Sequence, residues 1–313
     1  MEFRTLRENE LDQWLDHCLF VFNKGEYSEG YRQYFKNHWI NDPWRDLESI
    51  LIAVDEEKIV STVRIFHRKI YLNGQVVEMG GIGEVSTKPE YQGRGLSTKL
   101  FSLVAKRMQE IGVKVSMLGA APEKIGFYNK LGWESIPRCF NVSSIKSKDD
   151  FNFSIRPINF NTDIPQINAI HMVYSEKFNG TVVRDNEKYW SNWVKTEAKN
   201  FYVVEDNNKI IAYVDIDRYD KTIRIREFGE ILNKSSLYSS VVSKLAAINS
   251  LNECEIVYGS DINADFKIDR IIEENNEMIR LITPFRLDNL LIENTKQLVN
   301  VFGNLTYWDI DGF

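Results

Sequence analysis

The segment over residues 80–97 decides the fold of this chain; it reads Gly80-Gly81-Ile82-Gly83-Glu84-Val85-Ser86-Thr87-Lys88-Pro89-Glu90-Tyr91-Gln92-Gly93-Arg94-Gly95-Leu96-Ser97. A strand runs into a glycine-bearing turn, and the turn opens an amphipathic helix. Glycine lets the backbone turn sharply and brings bare amides close to a ligand. The first amides of a helix lack internal partners, and the macrodipole adds about half a positive charge there. The segment predicts a pyrophosphate site without a metal, although a tight turn with no ligand fits this pattern alone about equally well.

Two other phosphate-binding loops are excluded by the same residues. A nucleoside-triphosphate loop ends in Gly-Lys-Ser/Thr, whereas Gly95-Leu96-Ser97 lacks the lysine. A dinucleotide-binding loop needs three glycines in a Gly-x-Gly-x-x-Gly frame within a parallel βαβ unit. The strands before this turn have the pattern of antiparallel hairpins, so neither site is expected.

The flanking residues predict an α/β unit around this turn. Asn73-Gly74 is a strong two-residue hairpin signal, and Gly112 ends the helix that begins after the turn. The predicted elements are strands over 49–54, 59–70 and 76–87, a helix over 96–111, a strand over 113–118 and a short helix near 123–131.

The second half of the chain repeats this arrangement. The stretch 53–60 is echoed by 203–211, and Phe3-Arg4 is echoed by Ile155-Arg156. We therefore predict a tandem duplication of one unit of about 150 residues, a normal domain size. The polar stretch Ser143–Asp150 is the expected linker. Chance similarity between the halves is the alternative.

At this point the sequence resembles the GNAT superfamily of N-acetyltransferases. Gln92–Ser97 is similar to the family signature Gln/Arg-x-x-Gly-x-Gly/Ala, with Ser97 in place of the usual Gly/Ala. Gly126–Trp133 resembles the family's closing Phe-Tyr-x-x-x-Gly-Phe motif. The resemblance implies an α/β (α+β) fold with two tandem GNAT-like domains, each a mixed, mostly antiparallel sheet flanked by helices. Residues 1–145 would form the catalytic domain, and 151–313 a degenerate GNAT-like domain with a C-terminal tail.

The resemblance also implies acetyl-CoA as co-substrate, with no metal. The strand edge at Val85, Ser86 and Thr87 would pair with the pantetheine arm. The pyrophosphate would be held by Gln92, Gly93, Arg94, Gly95, Leu96, Ser97 and Thr98. One departure from the family is Ala121, which stands where an asparagine often contacts the cofactor, so that contact is not expected.

Acetyl transfer requires a neutral amine, a polarised thioester carbonyl and a stabilised thiolate. Backbone amides near Val85 would polarise the carbonyl. Tyr128 matches the family's general acid. Because its ordinary pKa exceeds that of a thiol by roughly 1.5 units, full proton transfer would be uphill by about 2 kcal/mol. We expect Tyr128 mainly to hydrogen-bond the thiolate; a purely packing tyrosine is the alternative.

Two carboxylates are candidates for the general base. Glu84 precedes the pantetheine strand and would draw the amine proton through water, unless strand alternation turns it away. The other candidate is the C-terminal carboxylate of Phe313, because the chain resembles tandem-domain acetyltransferases of the enhanced-intracellular-survival type, which use their last residue in this way. The chain is too short for that type's third domain, and a frayed, inert terminus is the alternative.

The second half carries no matching cofactor loop. Before its helix the sequence reads Ile231-Leu232-Asn233-Lys234-Ser235-Ser236, without glycine. We expect this half to be inactive, to form a wall of the acceptor pocket and to carry the C-terminal tail. The aromatic cluster of the first half fits either core packing or an acceptor box, and comprises Tyr31, Tyr34, Phe35, Trp39 and Trp44.

Bulk composition excludes several classes of function. A net charge of −6 and the lack of a basic stripe argue against nucleic acid. No apolar run reaches the length of a membrane span. The histidines lack metal-ligand spacing and the three cysteines are far apart, as expected of a cytoplasmic protein with reduced thiols. The expected partner is a small-molecule or protein amine, and the alternative function is a non-catalytic acetyl-CoA-binding module.

Overall fold

The computed structural model describes residues 1–149, 151–232 and 235–313. Asp150 of the predicted linker, and Asn233 and Lys234 of the predicted glycine-free turn, lie outside the described residues. In chain order the strands are β1 (Glu2–Thr5), β2 (Ile50–Asp55), β3 (Lys58–Leu72), β4 (Gln75–Thr87), β5 (Val115–Gly119), β6 (Glu134–Ser135), β7 (Arg138–Lys146), β8 (Ser154–Pro157), β9 (Asn200–Asp206), β10 (Lys209–Tyr219), β11 (Thr222–Glu230), β12 (Glu253–Gly259), β13 (Arg270–Glu274), β14 (Glu277–Leu281), β15 (Phe285–Leu287) and β16 (Leu290–Ile292). The helices are α1 (Leu11–Phe22), α2 (Glu29–Ile40), α3 (Leu96–Glu110), α4 (Ile125–Lys130), α5 (Ile164–Ser175), α6 (Lys195–Glu197), α7 (Ser235–Ile248) and α8 (Thr295–Phe302), with a π-helical turn at Tyr189–Val194 before α6.

The first large sheet has the strand order β1-β2-β3-β4-β5-β14-β6. Strands β1 to β4 are antiparallel neighbours, and β4 and β5 are parallel with α3 between them in the chain. Asn73 and Gly74 form the predicted hairpin turn, both at positive φ. The sheet is mixed and mostly antiparallel, which confirms the predicted fold class.

The second large sheet repeats the first, with the order β8-β9-β10-β11-β12-β7-β13. Again four antiparallel strands are followed by one parallel neighbour. The echoed sequence stretches form the same turn: Glu56 and Glu57 between β2 and β3 have positive φ, as do Asn207 and Asn208 between β9 and β10. The duplication inferred from sequence is therefore a duplication of structure.

The two sheets exchange strands. β7 comes from the end of the first repeat but lies in the second sheet, where Val142 pairs with Val257. β14 comes from the second repeat but lies in the first sheet, where Ile279 pairs with Met117. Each sheet is completed by the other half of the chain.

The hydrophobic core is continuous across the two halves. Phe66 and Met117 of the first half belong to the same buried cluster as Trp193 and Tyr213 of the second. On the other side of the first sheet, α3 buries Leu100, Val104 and Met108, which recur at helical spacing. This helix begins at the cofactor turn predicted from sequence, so its packing fixes where that turn lies.

Candidate active site

The site is built on a bulge in β4. Arg64 of β3 pairs with Gly83, and Thr62 pairs with Ser86, so two residues of β4 face one of β3. One of the two is Glu84, which has a left-handed φ of +53°. A non-glycine residue in this region is strained by about 1–3 kcal/mol and persists only where its surroundings hold it. Bulges of this kind bend a strand and re-aim its side chains next to binding sites.

Just before the bulge, β4 separates from β5. The parallel ladder between them runs from Met79–Val115 to Gly81–Met117 and then stops. From Ile82 to Thr87, the edge of β4 that faces β5 has no strand partner among the described residues. An open edge offers its amides and carbonyls to an extended ligand. The predicted pantetheine-binding residues lie on it: Val85, Ser86 and Thr87.

A cavity of about 780 Å³ opens at this split. All three residues predicted to take part in catalysis line it, although they are far apart in sequence: Glu84, Tyr128 and Phe313. Its walls come from α1 and α2, from β4 beyond the ladder, from the segment after β5 and from the end of the chain.

Two glycines of β4 make room for Phe313. Gly81 and Gly83 lie on the same face of the strand because side chains alternate. A Cβ at Gly81 would lie 2.4 Å from Cζ of the Phe313 ring, and one at Gly83 would lie 3.2 Å from the main-chain carbonyl carbon of Phe313. The Phe313 ring also stacks on Phe66, with 5.4 Å between centroids. The glycines of the opening segment thus serve the far end of the chain as well as the cofactor edge.

Glu84 belongs to a buried charge cluster. Its carboxylate accepts from Arg64 at 3.3 Å and lies 4.0 Å from Nδ1 of His38. Arg64 also donates to Asp42 at 3.0 Å, and Asp42 accepts from Arg68 at 3.0 Å. Burial raises the pKa of the Glu84 carboxyl, and the neighbouring Arg64 guanidinium opposes that rise. Paired charges of this kind hold the bulge in place.

Tyr128 lies in an aromatic wall. Its ring packs edge-on against Phe101 at 5.7 Å and Phe127 at 5.2 Å. Burial raises the pKa of its hydroxyl, so the group stays protonated at neutral pH. The residue therefore offers a hydrogen-bond donor to the cavity that it lines.

The predicted pyrophosphate turn has the geometry of an anion site. Gly93 and Gly95 have φ of +74° and +75°, and a Cβ at either would meet no atom within 4 Å. The first backbone amide of α3 with a helical partner is that of Lys99, which donates to Gly95. Within the described residues, the amides of residues 93–98 have no hydrogen-bond acceptor. Six consecutive main-chain donors are thus free at a helix N-terminus.

The side chains of this turn brace it. Gln92 donates to the carbonyl of Thr87 at 3.2 Å, and Arg94 donates to that of Glu90 at 2.7 Å. Ser97 shares a hydrogen bond with Thr87 at 3.0 Å, while Leu96 is buried and Thr98 is exposed. The groups left for a ligand are the main-chain amides and the exposed side chain of Thr98.

The aromatic cluster of the first half divides between the two predicted roles. Phe35 and Trp39 are buried and pack in the core below α2. Tyr31 and Tyr34 are exposed by nearly half and line the cavity. Trp44 packs against Tyr189 of the second half.

Residues 2–136 match the family model of the acetyltransferase (GNAT) domain. The first half of the chain is therefore an acetyltransferase (GNAT) domain. Glucosamine 6-phosphate N-acetyltransferase of Candida albicans is 27% identical over 133 residues, which cover 42% of this chain and 88% of that protein.

Solved structures of other proteins share the fold over nearly the whole chain. A conserved protein of Enterococcus faecalis, described as a probable N-acyltransferase, superposes with a TM-score of 0.70 at 17% identity, covering 90% of this chain and 72% of its own. Eis1 of Mycobacterium abscessus has a TM-score of 0.63 at 14% identity, covering 90% and 74%. At these identities the likeness is one of fold.

Several residues that support this candidate site were not predicted from the sequence. His17 of α1 is buried, and it contacts the carbonyl of Ile59 and the hydroxyl of Ser86, each at 3.1 Å. Arg64, flanked by the apolar residues Val63 and Ile65 in a strand, was the available signal, because a buried arginine requires a buried carboxylate. Its partner Asp42 follows α2 and is 1% exposed.

The described residues contain no group of three or more His, Cys, Asp or Glu side chains placed to hold a metal ion. Nor does any helix in the described ranges have the length and apolar character needed to cross a membrane.

Proposed function

We propose that this GNAT acyltransferase moves an acetyl group from acetyl-CoA to a primary amine of a small-molecule or protein acceptor. The observation that carries the proposal is the convergence of the open β4 edge, Tyr128 and Phe313 on one cavity. The Candida albicans relative is named for an amino sugar phosphate, which is a precedent for a small amine acceptor on this domain.

The proposed cofactor site runs along the split and around the turn. The pantetheine arm pairs with the β4 edge at Val85, Ser86 and Thr87, as an amide chain pairs with a strand. The pyrophosphate accepts from the free amides between Gln92 and Thr98. In this assignment the catalytic domain is 1–145, and residues 151–313 supply its wall and its last residue.

The proposed reaction needs one base and one hydrogen-bond donor. The amine nitrogen bonds to the acetyl carbon, its proton passes to the carboxylate of Phe313, and the carbon–sulfur bond breaks with its electron pair going to sulfur. Main-chain amides near Val85 polarise the carbonyl. Tyr128 hydrogen-bonds the departing thiolate, because its raised pKa disfavours full proton loss.

Phe313 is favoured over Glu84 as base because of their surroundings. The Glu84 side chain is 4% exposed, and its carboxylate already bonds Arg64. An amine would have to break that contact to deliver a proton. The Phe313 main chain reaches the cavity beside Gly83. Glu84 then acts through its charge and by holding the bulge.

A C-terminal extension tests the base. A short Gly-Ser segment added after Phe313 converts its carboxylate into a peptide bond and leaves the side chain unchanged. Turnover should fall by about 100-fold, the usual contribution of a positioned base. The dissociation constant of acetyl-CoA, measured by calorimetry, should stay unchanged. The same extension before Met1 is the matched control and should leave both values as they were.

Two outcomes would contradict the proposal. Wild-type turnover in the C-terminally extended protein would move the base to Glu84 or another group. Binding of acetyl-CoA by the unmodified protein, with no thiol release across a broad panel of amines, would support a non-catalytic binding module instead.

A further inference from the structure

The two sheets split in the same way at the same place. In the first, the parallel ladder between β4 and β5 ends at Gly81–Met117. In the second, the parallel ladder between β11 and β12 covers three pairs and ends at Arg224–Val257. Beyond that pair β11 continues to Glu230 without a β12 partner, while β12 stays paired with β7. The duplicated fold therefore has two equivalent splits.

The two splits have different contents. The first opens into the cavity of about 780 Å³. The second holds residues 304–311 of the same chain, here named the docked segment. Between this segment, β7, β11 and Gly259 at the end of β12, a cavity of only about 20 Å³ remains. Farther out, beside Asn304, a polar cavity of about 460 Å³ borders the docked segment. The inner part of the second split is thus filled by the chain itself.

Charged groups on the strands hold the docked segment. The carboxylate of Asp309 accepts from Arg138 of β7 at 2.6 Å and from Arg224 of β11 at 2.9 Å. Arg138 also donates to the main-chain carbonyl of Tyr307. The aspartate therefore bridges the two strands that border the split, and Arg224 is the last residue of the β11 ladder.

The opposite wall of the split is shaped to the same segment. Nε1 of Trp308 donates to Ser175 of α5 at 3.1 Å. Gly180 has a φ of +108°, and a Cβ there would lie 2.3 Å from Cδ1 of Leu305. A residue with a side chain at position 180 would displace the docked segment, so the glycine makes room for the segment. Side-chain hydrogen bonds, an ion pair and shape complementarity together are the features of a binding site.

A second buried ion pair fixes the segment just before the acetyl-transfer site. Asp311 accepts from Arg184 at 3.1 Å and from the Tyr189 hydroxyl at 2.9 Å. Arg184 in turn donates both terminal nitrogens to Glu227 of β11, at 2.8 and 2.6 Å. The side chains of the three charged residues are 0% exposed. Two residues later Phe313 lies in the first cavity, so any shift of Asp311 moves it.

We propose that the split of the second sheet is a binding site whose ligand is the docked segment of the same chain, lying where the first sheet would take its cofactor. Within it, Arg184 and Asp311 are positioning residues for Phe313. The first statement stands on the contacts alone, whereas the second rests on the proposed acetyl transfer. The second half thus uses the split that corresponds to the proposed cofactor site of the first half to position Phe313 in the active half.

Hydrogen exchange and turnover, measured on the full chain, test the two statements separately. Arg184→Gln and Asp309→Asn each remove one anchor of the docked segment. Exchange of the amides in residues 304–313, followed by mass spectrometry, should become about 10-fold faster in both variants. The matched control is Asp215→Asn, which breaks the buried Asp215–Arg226 ion pair in the same sheet without touching the segment. In the control, exchange of these amides should stay at the wild-type rate.

Turnover tests whether Arg184 and Asp311 position Phe313. Arg184→Gln should lower kcat by about 100-fold, the usual effect of a small misplacement of a catalytic group. The dissociation constant of acetyl-CoA should be unchanged, and Arg184→Lys should restore part of kcat because it keeps the charge. Asp215→Asn should keep wild-type kcat per folded molecule.

Each result is decisive. Unchanged exchange of residues 304–313 in both Arg184→Gln and Asp309→Asn would overturn the binding-site proposal, whether or not the enzyme turns over. Faster exchange with unchanged kcat would overturn the positioning role alone. If Arg184→Gln does not fold, Asp309→Asn, whose side chain is 20% exposed, decides the matter. Absence of turnover in the wild-type protein would remove the acetyl-transfer proposal and leave the exchange result to be judged by itself.

Discussion

At the scale of single residues, the surroundings of Tyr128 determine the orientation of its ring and the pKa of its hydroxyl. Its ring is fixed by aromatic neighbours, and burial raises the pKa of its hydroxyl. A thiol has an ordinary pKa of about 8.5, so the thiolate is a weaker base than the tyrosinate. In the proposed reaction, hydrogen bonding by Tyr128 lowers the energy of the leaving thiolate without requiring a full proton transfer.

Tyr128→Phe should lower kcat by about 100-fold while the dissociation constant of acetyl-CoA stays the same. Thiol release and calorimetry measure the two quantities. Tyr71→Phe is the control, since Tyr71 is also buried but its hydroxyl contacts the sulfur of Met172, outside the cavity. Retention of full kcat in Tyr128→Phe would make the residue a packing group.

His17 illustrates how burial chooses a protonation state. The carbonyl of Ile59 only accepts, so Nδ1 of His17 carries the proton and donates to it. Nε2 then accepts from the hydroxyl of Ser86. Burial, helped by the Lys88 charge, lowers the pKa of His17 to about 4. The neutral ring ties α1 to the strand edge proposed to bind pantetheine.

Stability should therefore fall in mild acid. Below about pH 6.5 the unfolded chain protonates His17, whereas the folded protein keeps it neutral until about pH 4, so the unfolded state binds more protons in that window. From about pH 7.5 to pH 5 this residue should cost about 2 kcal/mol of unfolding free energy. Urea unfolding of the wild type and of His17→Gln measures it. The variant should be less stable at neutral pH but should lose less on acidification, and equal losses in the two proteins would contradict the assignment.

At the scale of elements, β4 makes room for Phe313 on one face and has an open edge. Gly81 and Gly83 admit Phe313, while the edge from Ile82 to Thr87, where we propose that the cofactor binds, has no strand partner among the described residues. Gly80, on the opposite face, contacts α3, where a Cβ would lie 2.6 Å from Cε of Met108. The glycine-rich sequence of this strand thus reflects three separate demands for space.

Gly83→Ala should displace Phe313 but leave the binding of acetyl-CoA nearly unchanged. Its Cβ would lie 2.8 Å from the Phe66 ring and 3.2 Å from the carbonyl carbon of Phe313. We expect kcat to fall by about 100-fold, with the acetyl-CoA dissociation constant within a few-fold of wild type. Gly80→Ala is the control on the same strand; its Cβ meets the flexible end of Met108, so stability should change while kcat per folded molecule does not. Equal effects of both variants on kcat would argue against a specific contact with Phe313.

Local patterns predicted most of the first repeat. The hairpin at Asn73-Gly74, the turn before α3 and the strand after Gly112 depend on neighbours in the sequence, and the structure has all three. The two family motifs also predicted that Tyr128 and the cofactor turn belong to one site. These features depend on dihedral preferences and periodicity, which a sequence displays directly.

Long-range pairings could not be predicted in this way. The residues of β14 include Met278, Ile279 and Leu281, but nothing in this stretch states that Ile279 pairs with Met117 in the other half. The buried partner of Arg64 is likewise 22 residues away, on a segment that is irregular in sequence. Interaction partners of this kind are chosen by the packed fold, so they appear only in three dimensions.

At the scale of the whole molecule, the exchanged strands join the two repeats into one folding unit. β14 completes the first sheet and β7 completes the second, over a core shared by both halves. Removing either half would leave an unpaired strand edge in the middle of the other's sheet. The two repeats should therefore not have independent stabilities.

Urea unfolding of the full chain should show a single transition. Tryptophan fluorescence reports on both halves, through Trp14 and Trp133 in the first and Trp190 and Trp193 in the second, all of them buried. Variants that keep the tryptophans of only one half should give the same midpoint as circular dichroism. Acetyl-CoA at 100 times its Kd should stabilise both halves by about 2.7 kcal/mol. Separate midpoints, or stabilisation of the first half alone, would show that the repeats unfold independently.

The exchange of strands also determines when the first sheet can be completed during synthesis on the ribosome. β5 leaves the ribosome early, but its neighbour β14 ends at Leu281. At about 5–20 residues per second, translation of the intervening chain takes on the order of 10–30 s. During that interval the nascent first sheet has an apolar strand with no neighbour on one side, a state that chaperones bind. A duplication that appears to give two quickly folding copies has instead made the first copy wait for the second, whereas β7 is already translated when the second copy folds.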